Sequence, residues 1–260
     1  MGWRGAGSLA GNGKIYGIPY SFTMVLVIDP TTNTADTTTI TGLDGLCCKW
    51  SGGVLAGNGK IYGIPHHSAS VLIIDPTTNT ADTTTITGLS GSSGKWWGGV
   101  LAGNGKIYGI PFSSASVLII DPTTNTADTT TIMGLSGSAK WIGGVLAGNG
   151  KIYGMPIDSP SVLIIDPTTN TITIMGLSGS NKWAGGVLAG NGKIYGIPFD
   201  SASVLIIDPT SNTADTTTIT GLSGQYKWIG GVLAGNGKIY GTPFGSASVL
   251  IIQCAITKGL

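Results

Sequence analysis

Residues 98–134 read GGVLAGNGKIYGIPFSSASVLIIDPTTNTADTTTIMG, and this stretch recurs in recognisable form six times along the 260-residue chain. The lysine of its Gly-Asn-Gly-Lys motif recurs at intervals of 46, 46, 45, 42 and 45 residues, at Lys14, Lys60, Lys106, Lys151, Lys193 and Lys238. Repeats of this length are typical of β-propellers and solenoids. The pattern inside one repeat decides between the two architectures.

Each repeat contains four short apolar segments, which we predict to be β-strands and name a to d in chain order. In the third repeat they are 99–102, 106–110, 117–120 and 129–132. Asn104-Gly105 predicts a hairpin between strands a and b with a type I′ turn, in which both residues need φ > 0. Asp121-Pro122 and the residues after it predict a second turn, between c and d. Each repeat is therefore predicted to be a four-stranded antiparallel meander.

Strand c determines the architecture, because Val-Leu-Ile-Ile at 117–120 is apolar on both faces and needs cover on both sides. A propeller blade lies between two neighbouring blades, which supply that cover. Threonine-rich strand d suits the outer edge and glycine-rich strand a the crowded inner one. Solenoid coils are usually shorter and do not need Asn-Gly hairpins. We predict an all-β, six-bladed β-propeller in a single domain over 1–260, with blades at about 3–45, 46–91, 92–137, 138–179, 180–224 and 225–260.

Two repeats depart from the pattern. The fourth is shortened and reads Asn-Thr-Ile-Thr-Ile at 170–174, which predicts a clipped c–d loop. The sixth lacks the Asp-Pro turn, and residues 256–260 offer it a short strand d. Because the chain begins at strand a and ends at strand d, we expect no strand exchange between the termini. Closure is expected to rest on packing between the first and sixth blades.

Composition and charge exclude several classes of protein. Hydrophobic residues make up 41% of the chain, which is too many for a disordered protein. The net charge is +1 and the basic residues are dispersed, so no nucleic-acid partner is expected. No apolar run approaches the ~20 residues of a membrane span, and the first residues do not resemble a signal peptide. The compartment stays open, with an extracellular location preferred.

Catalytic and metal-binding patterns are weak. Glutamate is absent and no aspartate pair stands apart from the repeat, so we expect no enzymatic activity and no cofactor. Cys47 and Cys48 are expected on the same face of the second blade as His66 and His67, and thiolate with imidazole would suit Zn²⁺. Adjacent residues seldom reach one ion together, so no metal site is predicted. Since the cysteines, including Cys254, do not follow the repeat, no disulfide framework is expected.

A basic residue followed by tryptophan precedes strand a in five repeats, at Lys49-Trp50, Lys95-Trp96, Lys140-Trp141, Lys182-Trp183 and Lys227-Trp228, and Trp3-Arg4 is a degenerate sixth copy. The b–c loops add Tyr20, His66, Phe112, Ile157, Phe199 and Phe244 to the same face. Two interpretations stay open. The indoles could stack on a sugar or a partner side chain in a ring of pockets. Alternatively they wedge between blades as core, which is the commoner role of large aromatic residues. The candidate ligand-binding residues are Trp50, Trp96, Trp141, Trp183 and Trp228, with Lys140 and Lys182.

The repeat resembles two families. Gly-Lys-Ile-Tyr followed by Val-Leu-Ile-Ile-Asp-Pro-Thr-Thr-Asn-Thr resembles kelch repeats, although Ile-Pro stands where kelch has a double glycine and threonine where it has the tryptophan of strand d. Gly-Ser-Ala-Lys-Trp at 137–141 followed by Gly-Lys-Ile-Tyr-Gly at 150–154 is similar to tachylectin-type propeller lectins. The second resemblance implies one sugar per blade, held by the tryptophan that precedes strand a.

These observations predict a non-enzymatic, multivalent binding propeller with its ligand on the tryptophan-bearing face. A carbohydrate ligand is slightly preferred over a protein ligand. Repeated weak sites would gain avidity on a clustered ligand. The alternative is a structural, self-assembling protein or a protein–protein interaction scaffold, since a net charge near zero favours association.

Overall fold

The computed structural model describes residues 2–3, 7–89, 91, 93–177 and 179–254, without the side chains of 173–175. Over these residues the chain forms 23 β-strands and no helix. The fold class is the predicted six-bladed β-propeller. The described part of the chain contains no helix that is long and apolar enough to cross a membrane. Arg4 and the predicted last strand at 256–260 lie outside the described residues.

The chain divides into two compact units, Met1–Ser138 and Ala139–Leu260, and each contains three antiparallel sheets. The strands of the first unit are β1 (Ser8–Leu9), β2 (Ile15–Gly17), β3 (Leu26–Asp29), β4 (Thr34–Asp36), β5 (Trp50–Leu55), β6 (Ile61–Pro65), β7 (Leu72–Asp75), β8 (Thr80–Asp82), β9 (Trp96–Leu101), β10 (Ile107–Pro111), β11 (Leu118–Asp121) and β12 (Thr126–Asp128). Those of the second are β13 (Trp141–Leu146), β14 (Ile152–Pro156), β15 (Ser161–Asp166), β16 (Thr171–Gly176), β17 (Trp183–Leu188), β18 (Ile194–Pro198), β19 (Leu205–Asp208), β20 (Thr213–Asp215), β21 (Trp228–Leu233), β22 (Lys238–Pro243) and β23 (Leu250–Gln253). Five sheets have four strands in sequence order, and the last has three within the described residues.

The hairpin between strands a and b is not the predicted type I′ turn. In the third repeat Gly105 has a φ of 78°, whereas Asn104 does not have a positive φ. Gly105 N–H donates to the carbonyl of Ala102 at 3.0 Å, and Ala102 N–H donates to that of Lys106 at 2.9 Å. This is a three-residue loop closed by a left-handed glycine. The Asn104 side chain accepts the Lys106 N–H at 3.1 Å and donates to the Tyr108 hydroxyl at 3.0 Å. The backbone therefore requires the glycine, and the side-chain contacts require the asparagine.

Strand d lies earlier than predicted, because β12 ends at Asp128 and 129–132 forms bends instead. The Asp128 carboxylate accepts the backbone N–H of Thr130 at 2.6 Å and of Thr131 at 3.2 Å, and it also accepts both hydroxyls. A carboxylate that binds backbone groups two and three residues ahead turns the chain out of the sheet. Turn chemistry thus outweighs the β-propensity of the threonines.

The fourth repeat shows what happens without that aspartate. Its strand d, β16, runs for six residues from Thr171 to Gly176 and pairs along the whole of β15. The c–d turn at 167–170 is intact, so the prediction of a clipped c–d loop is wrong. The shortening removes the aspartate turn after strand d instead, which allows the strand to continue.

Strand c is buried on both faces, as its apolar run predicts. In the third repeat the exposed fractions are 0% for Val117, Leu118 and Ile120 and 6% for Ile119. Leu118 and Ile120 pack against the preceding sheet in a core that includes Tyr62. Ile119 lies on the opposite face because side chains alternate along a strand. Within the described residues each unit has two such cores, one between each pair of consecutive sheets.

Consecutive sheets within each unit approach closely at strand a. A Cβ atom on Gly99 would lie 2.7 Å from Cδ1 of Ile64 in the preceding sheet, so the glycine is required by close approach. Hydrogen bonds join the same two sheets through their turns. The Asn58 amide donates to the Pro122 carbonyl at 3.0 Å, and the Tyr62 hydroxyl donates to the Asn125 side chain at 2.8 Å.

Candidate functional site

The five tryptophans predicted to bind ligand are buried, with 2–6% of each exposed: Trp50, Trp96, Trp141, Trp183 and Trp228. Each indole Nε1–H donates to the backbone carbonyl of a serine at the end of the b–c loop or the start of strand c in its own sheet, at 2.7–2.8 Å. All but Trp141 also belong to the described cores between consecutive sheets. Their role in ligand binding stays a prediction, and stacking a sugar on their ring faces would require the loops to move.

The lysine before each tryptophan is buried as well, with 1–4% exposed: Lys49, Lys95, Lys140, Lys182 and Lys227. The Lys182 ammonium donates to the carbonyls of Ser159 at 2.8 Å and Gly179 at 2.5 Å. In four of the five pairs the ammonium lies over the neighbouring indole, 5.6–6.0 Å from its centroid. Burial lowers the pKa of all five lysines, and that of Lys140 to about 8. Because its ammonium binds the Gly179 carbonyl before its own sheet and the Ser159 carbonyl after strand b of the preceding sheet, Lys182 joins these two loops.

Two cavities of nearly equal volume open at equivalent positions of the repeat. The third-repeat cavity measures about 300 Å³, and its lining includes Lys95, Trp96, Ser113, Ser114, Ser116 and Thr129. The fifth-repeat cavity measures about 310 Å³, and its lining includes Lys182, Trp183, Asp200, Ser201, Ser203 and Thr216. Because most lining residues occupy matching positions, the same cavity is present in these two repeats.

Each cavity combines a buried ammonium group, an indole and several hydroxyl groups. The two serines two residues apart face each other, with Oγ atoms 3.3 Å apart for Ser114 and Ser116 and 3.2 Å apart in the fifth repeat. Among the lining positions that the two cavities share, the residue type differs at one, where the third repeat has Ser113 and the fifth has Asp200. The Asp200 carboxylate accepts the backbone N–H of Tyr226 at 2.5 Å. Hydroxyls, one cation and one apolar wall can bind a small ligand that carries several polar groups.

A second feature of this face is a cluster of five rings in the first unit, which we call the aromatic platform: Tyr20, His66, His67, Trp97 and Phe112. His66 is its centre, with its ring centroid 4.7–5.7 Å from those of the other four. Trp97 contacts three of the rings, with centroids 5.0 Å from His66, 5.3 Å from Phe112 and 6.1 Å from Tyr20. The His66 and His67 rings stack at 4.7 Å with 16° between their planes. Burial, and then the charge of Lys95, hold the pKa of His67 below its usual range.

The b–c loop residues of the second unit are arranged differently. The Phe199 ring lies 5.7 Å from that of Phe244 and 5.1 Å from that of Tyr226. Ile157 is buried, with 4% exposed. Phe244 is 59% exposed, so this cluster opens to solvent at its last member.

Cys47 and Cys48 form a disulfide between adjacent residues, which the sequence did not predict and which joins no two strands. The His67 backbone N–H donates to the Cys48 carbonyl at 2.9 Å, so the cysteine and histidine pairs lie in adjoining loops. Over the described residues, no group of three or more His, Cys, Asp or Glu side chains is placed to hold a metal ion. Cys254 is buried, and burial raises the pKa of its thiol.

Sequence reasoning missed Trp97 and the cavity serines. A signal for Trp97 was present in the sequence, because the third repeat has two consecutive tryptophans where the second and the fourth to sixth repeats have one, followed by Ser51, Ile142, Ala184 and Ile229. The serines recur in most b–c loops, but serine is common throughout the chain and its recurrence alone does not indicate a cavity.

No protein-family model and no curated protein matches the chain. Among solved structures, it is similar to a catalytically inactive variant of virginiamycin B lyase from Staphylococcus aureus with quinupristin, at a TM-score of 0.78 and 11% identity over 99% of this chain and 85% of that one. It is also similar to Kuenenia stuttgartiensis hydrazine synthase, at a TM-score of 0.72 and 15% identity over 97% and 78% of the two chains. A third is the extracellular domain of a one-component system from B. thetaiotaomicron, at a TM-score of 0.71 and 12% identity over 93% and 32%.

These similarities correct one prediction. The absence of glutamate and of a separate aspartate pair led us to expect no enzymatic activity, and that exclusion is wrong, because chains with this fold include virginiamycin B lyase and hydrazine synthase. At 11–15% identity the likeness itself extends to the fold alone.

Proposed function

We propose that this chain is a multivalent binding protein whose repeated cavities each hold a small polar ligand of the carbohydrate class. The observation that carries the proposal is the recurrence of one cavity, about 300 Å³ in the third repeat and about 310 Å³ in the fifth, with matching lining residues. A cavity that recurs with the same lysine, tryptophan and hydroxyl groups suits one ligand bound several times.

The chemistry of the lining supports a sugar. Volumes near 300 Å³ are at the lower limit for ligand pockets, which favours a monosaccharide-sized ligand. Serine and threonine hydroxyls both donate and accept, as sugar hydroxyls do. The resemblance of the repeat to tachylectin-type lectins, which bind one sugar per blade, supports the same interpretation.

Single sites of this kind bind weakly. A ligand of about 12 non-hydrogen atoms that gains ~0.3 kcal/mol per atom binds with a Kd in the millimolar range. Several sites on one chain raise the apparent affinity for a clustered glycan by ~10²–10⁴. The proposal therefore predicts a large difference between free monosaccharide and the same sugar displayed on a polymer.

The test is calorimetric titration of the full chain with hexoses, N-acetylhexosamines and uronic acids, free and polymer-bound. Thr216→Phe fills the fifth-repeat cavity and is expected to reduce the heat of binding. Thr210→Phe is the matched control, since Thr210 is exposed in the c–d turn and does not line the cavity. Equal losses in both variants, or no saturable heat with any sugar, would overturn the proposal. Concentration-dependent self-association without sugar binding would favour the structural alternative.

A second candidate is a lyase, favoured by the similarity to virginiamycin B lyase, of which a histidine-to-alanine variant is catalytically inactive. Here His67 is exposed and its lowered pKa keeps it neutral at pH 7, as a general base requires. Incubation with quinupristin, followed by chromatography, tests this candidate. Consumption that is lost in His67→Ser supports it, and serine stands at the equivalent Ser21 and Ser113. Unchanged quinupristin after prolonged incubation excludes that substrate.

A further inference from the structure

The aromatic platform breaks the six-fold pattern of the repeats. Trp97 follows the Lys95-Trp96 pair at a position that is Ser, Ile or Ala in the second and the fourth to sixth repeats. It contacts b–c loop rings from three successive repeats, Tyr20, His66 and Phe112, which also contact one another through His66. The core of each sheet forms in the other repeats without a second tryptophan, so the packing pattern shared by the repeats does not explain Trp97.

The platform is partly open to solvent. Tyr20 and His66 form its buried base, with 8% and 4% exposed. Trp97 and Phe112 are half-buried and His67 is exposed, so the upper rings have surface available to a ligand. Rings placed at 5–6 Å in tilted and edge-to-face arrangements can accept a further planar ring by stacking.

The charge around the platform is positive. The Lys95 ammonium donates to the carbonyls of His66 at 3.4 Å and Ser68 at 2.9 Å, which flank His67. Within the described part of the chain no carboxylate acts on Lys95 or His67. The lysines at three equivalent positions differ, since each has an aspartate nearby, at Asp44, Asp158 and Asp200. A positive site without a counter-ion attracts an anionic ligand and repels a cationic one.

We propose that the aromatic platform binds a planar ring that carries a negative charge, an aromatic carboxylate being the simplest example. The ring stacks on Trp97 and Phe112, and the carboxylate lies on the side of Lys95. This site adjoins the third-repeat sugar cavity, whose lining includes Lys95 but neither Trp97 nor Phe112.

Benzoate, benzamide and benzamidinium are nearly isosteric probes that differ in charge. We would titrate each into the full chain labelled with ¹⁵N-tryptophan and follow the seven indole N–H resonances. The resonance missing from Trp97→Ile identifies Trp97. Benzoate is expected to shift it saturably and to bind about threefold tighter than benzamide, as a unit charge ~7 Å from Lys95 in water predicts, with benzamidinium weakest. Equal affinities for the three probes, or no shift of the Trp97 resonance, would overturn the proposal.

The repeats supply variants that the fold accepts. Isoleucine stands at the Trp97 position in two other repeats and at the Phe112 position in the fourth. Trp97→Ile and Phe112→Ile should each lower benzoate affinity at least fivefold, measured by saturation-transfer NMR, with the remaining indole resonances unchanged. Phe199→Ile, the same substitution in the second unit, should leave benzoate affinity unchanged. Equal losses in Phe112→Ile and Phe199→Ile would mean that benzoate does not bind at the platform.

Discussion

Gly99→Ala should destabilise the fold, because the new Cβ would lie 2.7 and 2.9 Å from Cδ1 and Cγ1 of Ile64 and 3.2 Å from Cγ2 of Val54. Both neighbours are buried, with 0% and 9% exposed, so neither can move into solvent. Overpacking of this kind costs about 1–3 kcal/mol. At ~2.1 cal/mol/K of unfolding entropy per residue, a chain of 260 residues would lose about 2–5 °C in Tm. Differential scanning calorimetry measures the shift.

Gly103→Ala is the matched control, since its Cβ would meet no atom within 4 Å and its φ is not in the left-handed region. Its melting temperature should stay within about 1 °C of the parent. Ile64→Val removes the atom at 2.7 Å and should recover part of the loss when combined with Gly99→Ala. If Gly99→Ala and Gly103→Ala melt alike, consecutive sheets do not pack at strand a as described.

Three further predictions concern hydrogen bonds and charge. Tyr62→Phe should cost about 1–2 kcal/mol in urea denaturation because it removes the donor to the Asn125 side chain, and an unchanged midpoint would contradict this. The unfolding free energy should rise from about pH 8 towards pH 10.5, because in this range Lys140 binds fewer protons in the folded than in the unfolded chain. The Lys140→Met variant should show a smaller rise, and a pH profile identical to that of the parent would contradict the prediction. Hydrogen bonds lower the pKa of Asp128 to about 2, so its contribution to the unfolding free energy should be lost as the pH falls from about 4 to 2. The Asp128→Asn variant should lose less unfolding free energy over that pH range than the parent, and an equal loss would contradict the prediction.

The fold was predictable where one signal acted alone. Strand c carries four consecutive apolar residues, 117–120, and cover on both faces is the arrangement that buries them all. The errors arose where two local signals compete. The run at 129–132 has high β-propensity, but Asp128 binds the backbone ahead of it and turns the chain. Asn104-Gly105 fits both a two-residue and a three-residue hairpin loop, and the dipeptide alone does not distinguish them.

The site was harder to predict because burial depends on tertiary contacts. Lysine is almost always exposed, so Lys182 gave no reason to expect an ammonium enclosed by carbonyls of the preceding b–c loop. The tryptophans were weighed as site or core, and the structure places Trp183 in a core with its N–H bonded to the Ser203 carbonyl. Trp97 contacts rings that are distant in the sequence, up to about 77 positions away at Tyr20. No local sequence pattern indicates such contacts.

Native mass spectrometry of the full chain with the tightest-binding monosaccharide tests the central claim most directly, because it counts ligands per chain. The proposal predicts at least two bound sugars at saturation, one for each cavity described. Thr129→Phe and Thr216→Phe should each remove one sugar, and the double variant two. A single bound sugar that survives in both variants, or none in a folded chain, would contradict repeated cavities as the binding sites.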